Sequence, residues 1–295
     1  MRMRYSVLAI AAVAALALSG CVDNSTAPKD DGPSVSVGVD AAAVALLPKK
    51  IKDAGKLIIG IDPTYAPNES KDDAGNPVGW DVELADAMVA KLGLKADYQI
   101  SGFDKIIPSI TGGTYDVGVS SFTDNVEREK AVDFVNYFTA GVQWAQPIGK
   151  NVDPANACGL TVSVQATTFE ETDELPAASK KCTDAGKAPI TILKVDKQDD
   201  ATTAVADGRA DAMSADSPIT LYAISQLKDK IEPAGEAFDA APYGIAVKKN
   251  SDLTKAIQKA LQSMVDDGSY TKILTKWGVE SGGIAEITIN AASKG

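Results

Sequence analysis

The sequence predicts an α/β protein made of two units, each an open sheet flanked by helices, that are joined by two chain connections. Strand-like runs alternate with helical periods over residues 56–120, and the alternation restarts after Lys150. The last stretch, residues 243–277, has one extended run and two helices but no new series of strands. We therefore expect the chain to cross back there and complete the first unit.

The first unit follows strand–helix–strand order. A short apolar run at residues 56–61 predicts a strand, and apolar residues at helical spacing between Val82 and Leu92 predict an amphipathic helix that stops near Gly93. The next predicted elements are a strand at 96–100, a helix at 103–110 and a strand at 116–120. This βαβ order favours an open α/β sheet.

The second unit repeats the alternation. Its predicted strands are 160–164, 190–195 and 210–214, and its predicted helices are 169–181, 199–206 and 217–227. The closing stretch supplies an extended run at 243–247 and helices at 253–265 and 270–277. We expect lobe 1 to comprise residues 50–141 and 243–295 and lobe 2 residues 142–242, with hinges near 138–145 and 239–245.

The N-terminus is typical of a secretory leader. Arg2 and Arg4 precede a short apolar run at residues 7–18, which is too short to span a bilayer as a helix. The following Leu18-Ser19-Gly20-Cys21 resembles a bacterial lipobox, which implies removal of residues 1–20 and palmitate or a similar lipid on Cys21. An ordinary secretory signal is the alternative. Residues 21–49 then form the expected tether, with a short helical stretch at 41–47.

Composition excludes several functional classes. The chain of 295 residues has no histidine, which removes Ser-His-Asp and Cys-His catalytic schemes and disfavours a metal site. Its net charge of −11 becomes more negative when Arg2 and Arg4 leave with the leader, and an acidic surface repels nucleic acid. We expect no cofactor, no metal and no nucleic-acid partner.

Two cysteines remain after the leader. Cys158 and Cys182 form an even pair in an oxidising compartment, which predicts a disulfide bond. Two free buried thiols are the alternative.

Arg128 is the first candidate binding residue, because it follows a polar run at residues 120–123 that contains Ser121 and Thr123. A guanidinium pairs with both oxygens of a carboxylate, while hydroxyl and backbone N–H groups satisfy the remaining lone pairs. This constellation predicts a carboxylate receptor. The alternative places Arg128 in the first turn of a surface helix at 126–132, paired with Glu127 or Glu129.

Further motifs occur in a fixed order along the chain. They are GIDPTYAP at 60–67, GWDVELA at 79–85, FDKIIP at 103–108, YDV at 115–117, the stretch 120–128 leading into AVDF at 131–134, and KWG at 276–278. This series resembles the amino-acid-binding family of extracytoplasmic solute-binding proteins that feed ABC importers, and the resemblance covers residues 56–278. It implies a two-lobed, type II periplasmic-binding-protein-like fold, with two open α/β sheets joined by two hinge strands.

The resemblance implies a ligand site for both ends of an amino acid. Arg128, Thr123 and Ser121 are expected to hold the α-carboxylate, and Thr168, in the VQATT loop at a helix start, is expected to complete that site. Asp216, at the end of RADAMSAD, is expected to bind the α-ammonium group. Its alternative role is a helix N-cap ahead of Ser217-Pro218, and the two roles can coexist.

The resemblance also implies a pocket for the ligand side chain. Tyr65 and Phe103 look like aromatic walls, although core packing is an alternative, particularly for Phe103. Asp62 could pair with a cationic side chain or accept from an amide, and Gln165 adds a polar contact. The chain departs from many relatives at Asn68 and Gly102, so the choice among polar and basic amino acids stays open. Trp80 is expected to be structural, and Gly278 to end a helix.

Together these features predict a monomeric binding lipoprotein that captures a free polar or basic L-amino acid by lobe closure. It would be anchored outside the cell membrane and deliver its ligand to an ABC permease complex. Two other classes remain open. A dehydratase-like enzyme on the same scaffold would need Asp62 or Glu170 as a general acid or base, and a sensor or adhesin would bind the ligand without transport.

Overall fold

The computed structural model describes residues 35–294, so the expected leader and the expected lipidation of Cys21 lie outside the described residues. The strands are β1 (Lys56–Ile61), β2 (Ser70–Lys71), β3 (Pro77–Val78), β4 (Lys95–Ile100), β5 (Val117–Gly118), β6 (Val132–Pro147), β7 (Thr161–Gln165), β8 (Thr191–Val195), β9 (Ala212–Asp216), β10 (Ile231–Lys248) and β11 (Thr288–Ile289). The helices are α1 (Ala41–Ala45), α2 (Lys49–Ala54), α3 (Trp80–Lys91), α4 (Phe103–Thr111), α5 (Leu175–Asp184), α6 (Gln198–Ala206), α7 (Ser217–Gln226), α8 (Leu253–Asp266) and α9 (Ser269–Trp277). Every helix between residues 35 and 294 is too short or too polar to span a bilayer.

The main sheet has the strand order β4-β1-β5-β10-β6-β9-β7-β8, with β11 paired to β6. Strand β1 is parallel to β4 and β5, and β7 is parallel to β8 and β9. Between these two parallel groups run β6 and β10, which pair with each other in antiparallel fashion. The α/β class is as predicted. The two expected sheets form one continuous hydrogen-bonded path because the two connecting strands pair along their length.

Strands β6 and β10 belong to both halves of the molecule. They contain 16 and 18 residues, whereas the sequence indicated only an extended run at 243–247. Nearly every residue of β6 is buried, so the strand lacks the alternation of apolar and polar residues that marks a strand with one exposed face. The pairing of β6 with β10 shifts register three times between Ala234 and Gly244, a stretch that includes the expected second hinge at 239–245.

Lobe 1, as named here, contains β1, β4 and β5 with α3, α4, α8 and α9. Part of the expected tether also packs on it. Ala43 and Leu47 are buried in its core, Asp40 accepts hydrogen bonds from the first turn of α1, and the N–H of Val35 donates to Glu83 Oε1 at 3.2 Å. The packed structure therefore includes residues 35–49, ahead of the expected start at residue 50.

Lobe 2 contains β7, β8 and β9 with α5, α6 and α7. The helix predicted at 169–181 is divided, because a π turn at Glu170–Glu174 precedes α5, and Pro176 in the first turn of α5 has no N–H to continue an earlier ladder. The strand predicted at 210–214 is shifted to Ala212–Asp216, which places Asp216 at its end.

Three structural expectations are met. Cys158 and Cys182 form a disulfide with an S–S distance of 2.05 Å, joining the loop before β7 to α5. Trp80 is fully buried and donates from Nε1 to Asn68 Oδ1 at 2.6 Å, which gives both residues a structural role. Gly278 ends α9 with a φ of 68°.

Candidate ligand-binding cleft

A small cavity lies between the lobes, at the carboxyl ends of the central parallel strands of each lobe, where open α/β sheets bind ligands. The facing walls leave a volume of about 10 Å³, roughly the space of one water molecule. The lining residues are Asp62, Tyr65, Phe103, Ser120, Ser121, Thr123, Arg128, Gln165, Thr168, Phe169, Glu170 and Asp216. All nine residues that the sequence singled out for ligand binding are therefore brought together.

Arg128 bridges the lobes. Its Nη1 donates to the carbonyl oxygen of Thr123 at 2.7 Å, and its Nη2 donates to the carbonyl of Thr167, in lobe 2, at 2.8 Å. The guanidinium carbon also lies 5.7 Å from the centre of the Phe103 ring, within range of a cation–π contact. Burial lowers the pKa of Arg128, yet an arginine remains charged.

The alternative placement of Arg128 on a surface helix is not what the chain adopts. Arg128 begins a single 3₁₀ turn, Arg128–Lys130, that leads directly into β6. Glu127 pairs with Lys130, and the Arg128 side chain points into the cleft. Asn125 caps the turn by accepting from the backbone N–H of Arg128 at 2.8 Å.

Asp216 faces the cleft from the end of β9. Its carboxylate makes no capping hydrogen bond to α7, so the helix-cap alternative does not describe the side chain. Instead, the hydroxyl of Tyr65, in lobe 1, donates to Asp216 Oδ2 at 2.6 Å. Burial raises the pKa of Asp216 to about 6, although the hydrogen bond from Tyr65 and the charge of Arg128 act in the opposite direction.

Asp62 supplies a second carboxylate. It accepts hydrogen bonds from Thr64 Oγ1 at 3.0 Å, from the backbone N–H of Phe103 at 3.2 Å and from Gln165 Nε2, in lobe 2, at 2.8 Å. Burial raises its pKa above the ordinary value, while these donors favour the ionised form. Asp62 and Gln165 are thus the third pair of residues joined across the cleft, after Arg128 with Thr167 and Tyr65 with Asp216.

Ser121 lines the cavity, but its hydroxyl points into the interior of lobe 1. The hydroxyl donates to Glu69 Oε1 at 2.8 Å and accepts from Asn68 Nδ2 at 2.8 Å, while the Ser121 N–H donates to Asp81 Oδ2 at 3.2 Å. These contacts hold Ser121 in a left-handed conformation with a φ of 50°. The neighbouring Ser120, which was not assigned from the sequence, places its hydroxyl at 3.1 Å from the Asp62 N–H.

Behind Ser121, Glu69 and Asp81 are buried side by side, and no basic residue between positions 35 and 294 pairs with either. The pKa of Glu69 is raised well above its ordinary value, first by burial and then by the charge of Asp81. Tyr137, on β6, donates to Asp81 Oδ2 at 2.7 Å. The Ser121 loop is therefore linked through Asp81 to one of the two strands that join the lobes.

Thr168 and Thr123 take their positions from local turns. Thr168 Oγ1 donates to the Gln165 carbonyl at 3.0 Å and accepts from the N–H of Glu171 at 3.3 Å. These two bonds fix the backbone that leads from β7 into the π turn. Thr123 forms an isolated bridge with Tyr243 on β10. Both threonines are buried at the edge of the cavity.

The two aromatic candidates pack differently. Phe103 stacks on Phe122 with ring centres 4.7 Å apart and is only half-buried, so it joins the core on one face and borders the cleft on the other. Tyr65 packs against hydrophobic residues of lobe 2, including Ala215 and Ile219. Phe103 therefore has both of the roles considered for it: one face packs in the core and the other forms part of the pocket wall.

Sequence reasoning did not assign Phe169 or Glu170 to ligand binding. Glu170 was considered only as a possible general acid or base. Both follow Thr168 directly, and that adjacency in a loop at a helix start was the available signal. Burial raises the pKa of Glu170 well above its ordinary value, and the charge of Asp216 raises it further.

Comparison with known families identifies the fold. The family model described as bacterial extracellular solute-binding proteins, family 3, matches residues 57–280. The chain belongs to this family. As a family 3 solute-binding protein, it is an extracytoplasmic protein with the two-lobed architecture that the sequence predicted.

Relatives of this family 3 protein are binding proteins of amino-acid transport. The arginine-binding protein ArgT of Corynebacterium glutamicum is 41% identical over 276 residues, covering 92% of this chain and 91% of the relative. The ABC transporter glutamine-binding protein GlnH of Bacillus subtilis is 30% identical over 240 residues, covering 77% and 82%. An ancestral arginine-binding protein bound to arginine superposes with a TM-score of 0.70 at 36% identity, covering 76% of this chain and 98% of that one. These relatives are named for binding rather than for catalysis.

Proposed function

We propose that this protein captures a cationic L-amino acid between its lobes, with arginine as the first candidate, and delivers it to an ABC importer. The arginine-binding relatives at 41% and 36% identity support arginine over the wider set of polar amino acids. The residues assigned to the ligand are Asp62, Tyr65, Phe103, Ser121, Thr123, Arg128, Gln165, Thr168 and Asp216.

The charges of the cleft favour a guest with one net positive charge. Arg128 provides one cation, whereas Asp62 and Asp216 provide two anions. Arginine has one carboxylate and two cationic groups, so it neutralises all three side chains. A neutral zwitterion would leave one buried carboxylate without a counter-charge, which is unfavourable in a closed site. The second carboxylate, Asp62, is the observation that carries the preference for a cationic ligand.

The roles follow from these positions. The Arg128 fork pairs with the ligand α-carboxylate, with Thr123 and Thr168 beside it, and Asp216 receives the α-ammonium group. Tyr65 and Phe103 flank the ligand side chain, whose cation meets Asp62 and Gln165. Ser121 lines the site from a loop that is held in place by the hydrogen bond of its N–H to Asp81.

Closure is the step that distinguishes bound from free protein. In the described part of the chain, three residue pairs are hydrogen-bonded across the cleft, namely Arg128 with Thr167, Tyr65 with Asp216 and Gln165 with Asp62. Each uses a residue assigned to the ligand, so an entering amino acid exchanges these contacts for its own after the lobes separate. The ligand favours the closed form by the contacts that it makes with both lobes at once.

Thermal unfolding with each common L-amino acid tests this function. A ligand at a hundredfold its Kd stabilises by about 2.7 kcal/mol, which shifts the melting temperature measurably. We expect arginine to give the largest shift, followed by lysine and ornithine, with glutamine smaller. If no L-amino acid shifts the transition, or if neutral ones shift it more than arginine does, the assignment is wrong.

The lipid anchor and the transport partner need separate tests. We propose that Cys21 carries the lipid that holds the monomeric protein at the outer face of the cell membrane. Mass spectrometry of the mature N-terminus is expected to find a lipidated Cys21, and Cys21→Ala is expected to release the protein from the membrane fraction. Arginine uptake that depends on both this protein and a permease separates transport from sensing.

A further inference from the structure

Glu170 is a third carboxyl group of the cleft, and the binding scheme above leaves it without a role. Its side chain is only 1% exposed, and it lines the same cavity as Asp216 and Arg128. Its Oε1 atom is buried and has no hydrogen-bond partner among the residues that the structure describes. A buried oxygen left without a donor costs about 1–3 kcal/mol, so its environment needs a physical explanation.

Glu170 and Asp216 form a pair within lobe 2. Glu170 follows β7 and Asp216 ends β9, and these two strands are parallel neighbours. The pair therefore keeps its geometry whether the lobes are open or closed. Glu170 and Asp216 line the same small cavity, and a hydrogen bond from a protonated Glu170 would lower the pKa of Asp216. Two carboxyl groups make such a bond only when one of them carries a proton.

The proton belongs on Glu170. The Tyr65 hydroxyl and the Arg128 charge both favour the ionised form of Asp216. Arg128 donates its two short hydrogen bonds to the backbone carbonyl oxygens of Thr123 and Thr167, not to Glu170. The Arg128 charge also acts on Glu170, and Thr168 favours its ionised form, so the 2.6 Å hydrogen bond from Tyr65 is what favours the negative charge on Asp216.

The surroundings of Glu170 are mostly acidic. The titratable groups that face it are Asp216 on β9, Glu174 in its own turn, Tyr65 and Arg128 in lobe 1 and Tyr243 on β10, with Asp62 lining the same cavity. Only one of these is a cation. Burial, then the charge of Asp216, then that of Glu174 raise the pKa of Glu170 well above its ordinary value.

We propose that Glu170 is a positioning residue of the ligand site, a neutral carboxylic acid whose proton bonds to Asp216 and holds that carboxylate toward the ligand ammonium group. This role rests on the proposed function of amino-acid binding. A neutral Glu170 also keeps the cleft at one net negative charge, the value that matches arginine. An ionised Glu170 would add a second uncompensated charge to the closed site.

Isothermal titration calorimetry of arginine between pH 5 and 8 tests the role with two variants. Glu170→Gln keeps a neutral donor, so we expect its Kd to lie within about threefold of wild type and its pH profile to be unchanged. Glu170→Ala removes the donor. Its Kd should rise by about tenfold or more, and the pH at which affinity declines should move upward because the pKa of Asp216 rises.

An ionised Glu170 would shift the pH dependence of arginine binding in the opposite direction. If Glu170 is ionised, both variants relieve repulsion of Asp216 and the decline in affinity moves to lower pH. That result would overturn the proposal, as would equal losses of affinity in the two variants, or wild-type affinity with a wild-type pH profile in Glu170→Ala. Titration in two buffers at pH 7.5 provides a further measurement, because a permanently protonated Glu170 releases about zero protons on binding and a ligand-ionised one releases about one.

Glu174→Gln is the matched control. Glu174 is buried in the same turn and accepts from Ser214 Oγ at 2.9 Å, but it does not line the cavity. This variant should bind arginine like wild type at pH 5, where Glu174, whose pKa is raised to about 7, is already protonated. Thermal unfolding without ligand checks that each variant folds. If wild type binds arginine but the Glu170 variants do not respond as expected, only the positioning role is refuted. If wild type binds no amino acid, the proposed function is refuted.

Discussion

The hydroxyl of Tyr65 and the carboxylate of Asp216 are joined across the cleft by a hydrogen bond of 2.6 Å. Tyr65 follows β1 in lobe 1 and Asp216 ends β9 in lobe 2, 151 residues later in the chain. One bond thus connects the closure of the lobes to the protonation of the residue proposed to bind the ligand ammonium group.

Tyr65→Phe should move the pH dependence of ligand binding upward. Asp216 must be ionised to attract an ammonium group, and its pKa is about 6, so affinity falls as the pH falls through that value. The lost hydrogen bond favoured the ionised form. A bond to a charged group is worth about 1.5 kcal/mol, which corresponds to a rise of about one pH unit. Calorimetric titration of arginine at pH 5, 6, 7 and 8 measures the shift, and a profile identical to wild type would contradict it.

Arg128→Ala should abolish tight binding. The ligand carboxylate would be buried without its cation, at a cost of about 3 kcal/mol or more in binding free energy. Arg128→Lys should give an intermediate loss, because a single ammonium group cannot replace the fork that reaches two oxygens. Lys130→Ala is the control, since Lys130 is exposed and pairs with the exposed Glu127 outside the cleft. Calorimetry provides the Kd, and a loss below tenfold in Arg128→Ala would count against the carboxylate assignment.

Asp62→Asn should reduce the preference of the site for arginine over glutamine. The variant removes the charge expected to meet the side-chain cation, so arginine binding should weaken by about tenfold or more. Glutamine binding should be unchanged or tighter, because the variant removes a carboxylate that glutamine leaves without a counter-charge, and an amide can still hydrogen-bond to an amide. The ratio of the two Kd values is the measurement. Asp97→Asn, at the edge strand β4 and paired with Lys56, should leave that ratio unchanged.

Loss of the Cys158–Cys182 disulfide should lower stability without weakening binding. The two cysteines are 24 residues apart, and closing a loop of that size stabilises a fold by about 3 kcal/mol on the chain-entropy model. The bond joins the loop before β7 to α5, and neither cysteine lines the cleft. Urea unfolding of Cys158→Ser/Cys182→Ser against the oxidised wild type measures the loss. A large change in arginine Kd would show that the bond also shapes the site.

Much of the cleft could be predicted because its residues are local to strand ends. Asp62 and Tyr65 follow β1 directly, Gln165 ends β7 and leads to Thr168, and Asp216 ends β9. The carboxyl ends of parallel strands meet at one edge of a sheet, so placing the strands already places these residues. An error of two residues in β9 did not matter, since Asp216 had been assigned from its motif.

Other features depend on neighbours that are distant in sequence. The lengths of β6 and β10 were missed because most of β6 is buried between layers, which removes the period of two that identifies a strand. The direction of the Ser121 hydroxyl is set by Glu69 and Asn68, more than 50 residues earlier in the chain. No local pattern around Ser121 contains that information.

The sequence by itself determined the α/β class, the cysteine pair and the set of polar and aromatic residues that face the cleft, because periodicity, motif order and strand-end position are local properties. Tertiary structure alone decided which groups of that set oppose each other, including Tyr65 with Asp216 and Asp62 with Gln165. It also decided the burial of Glu170 beside Asp216, since the removal of water from a carboxyl group depends on every element packed around it.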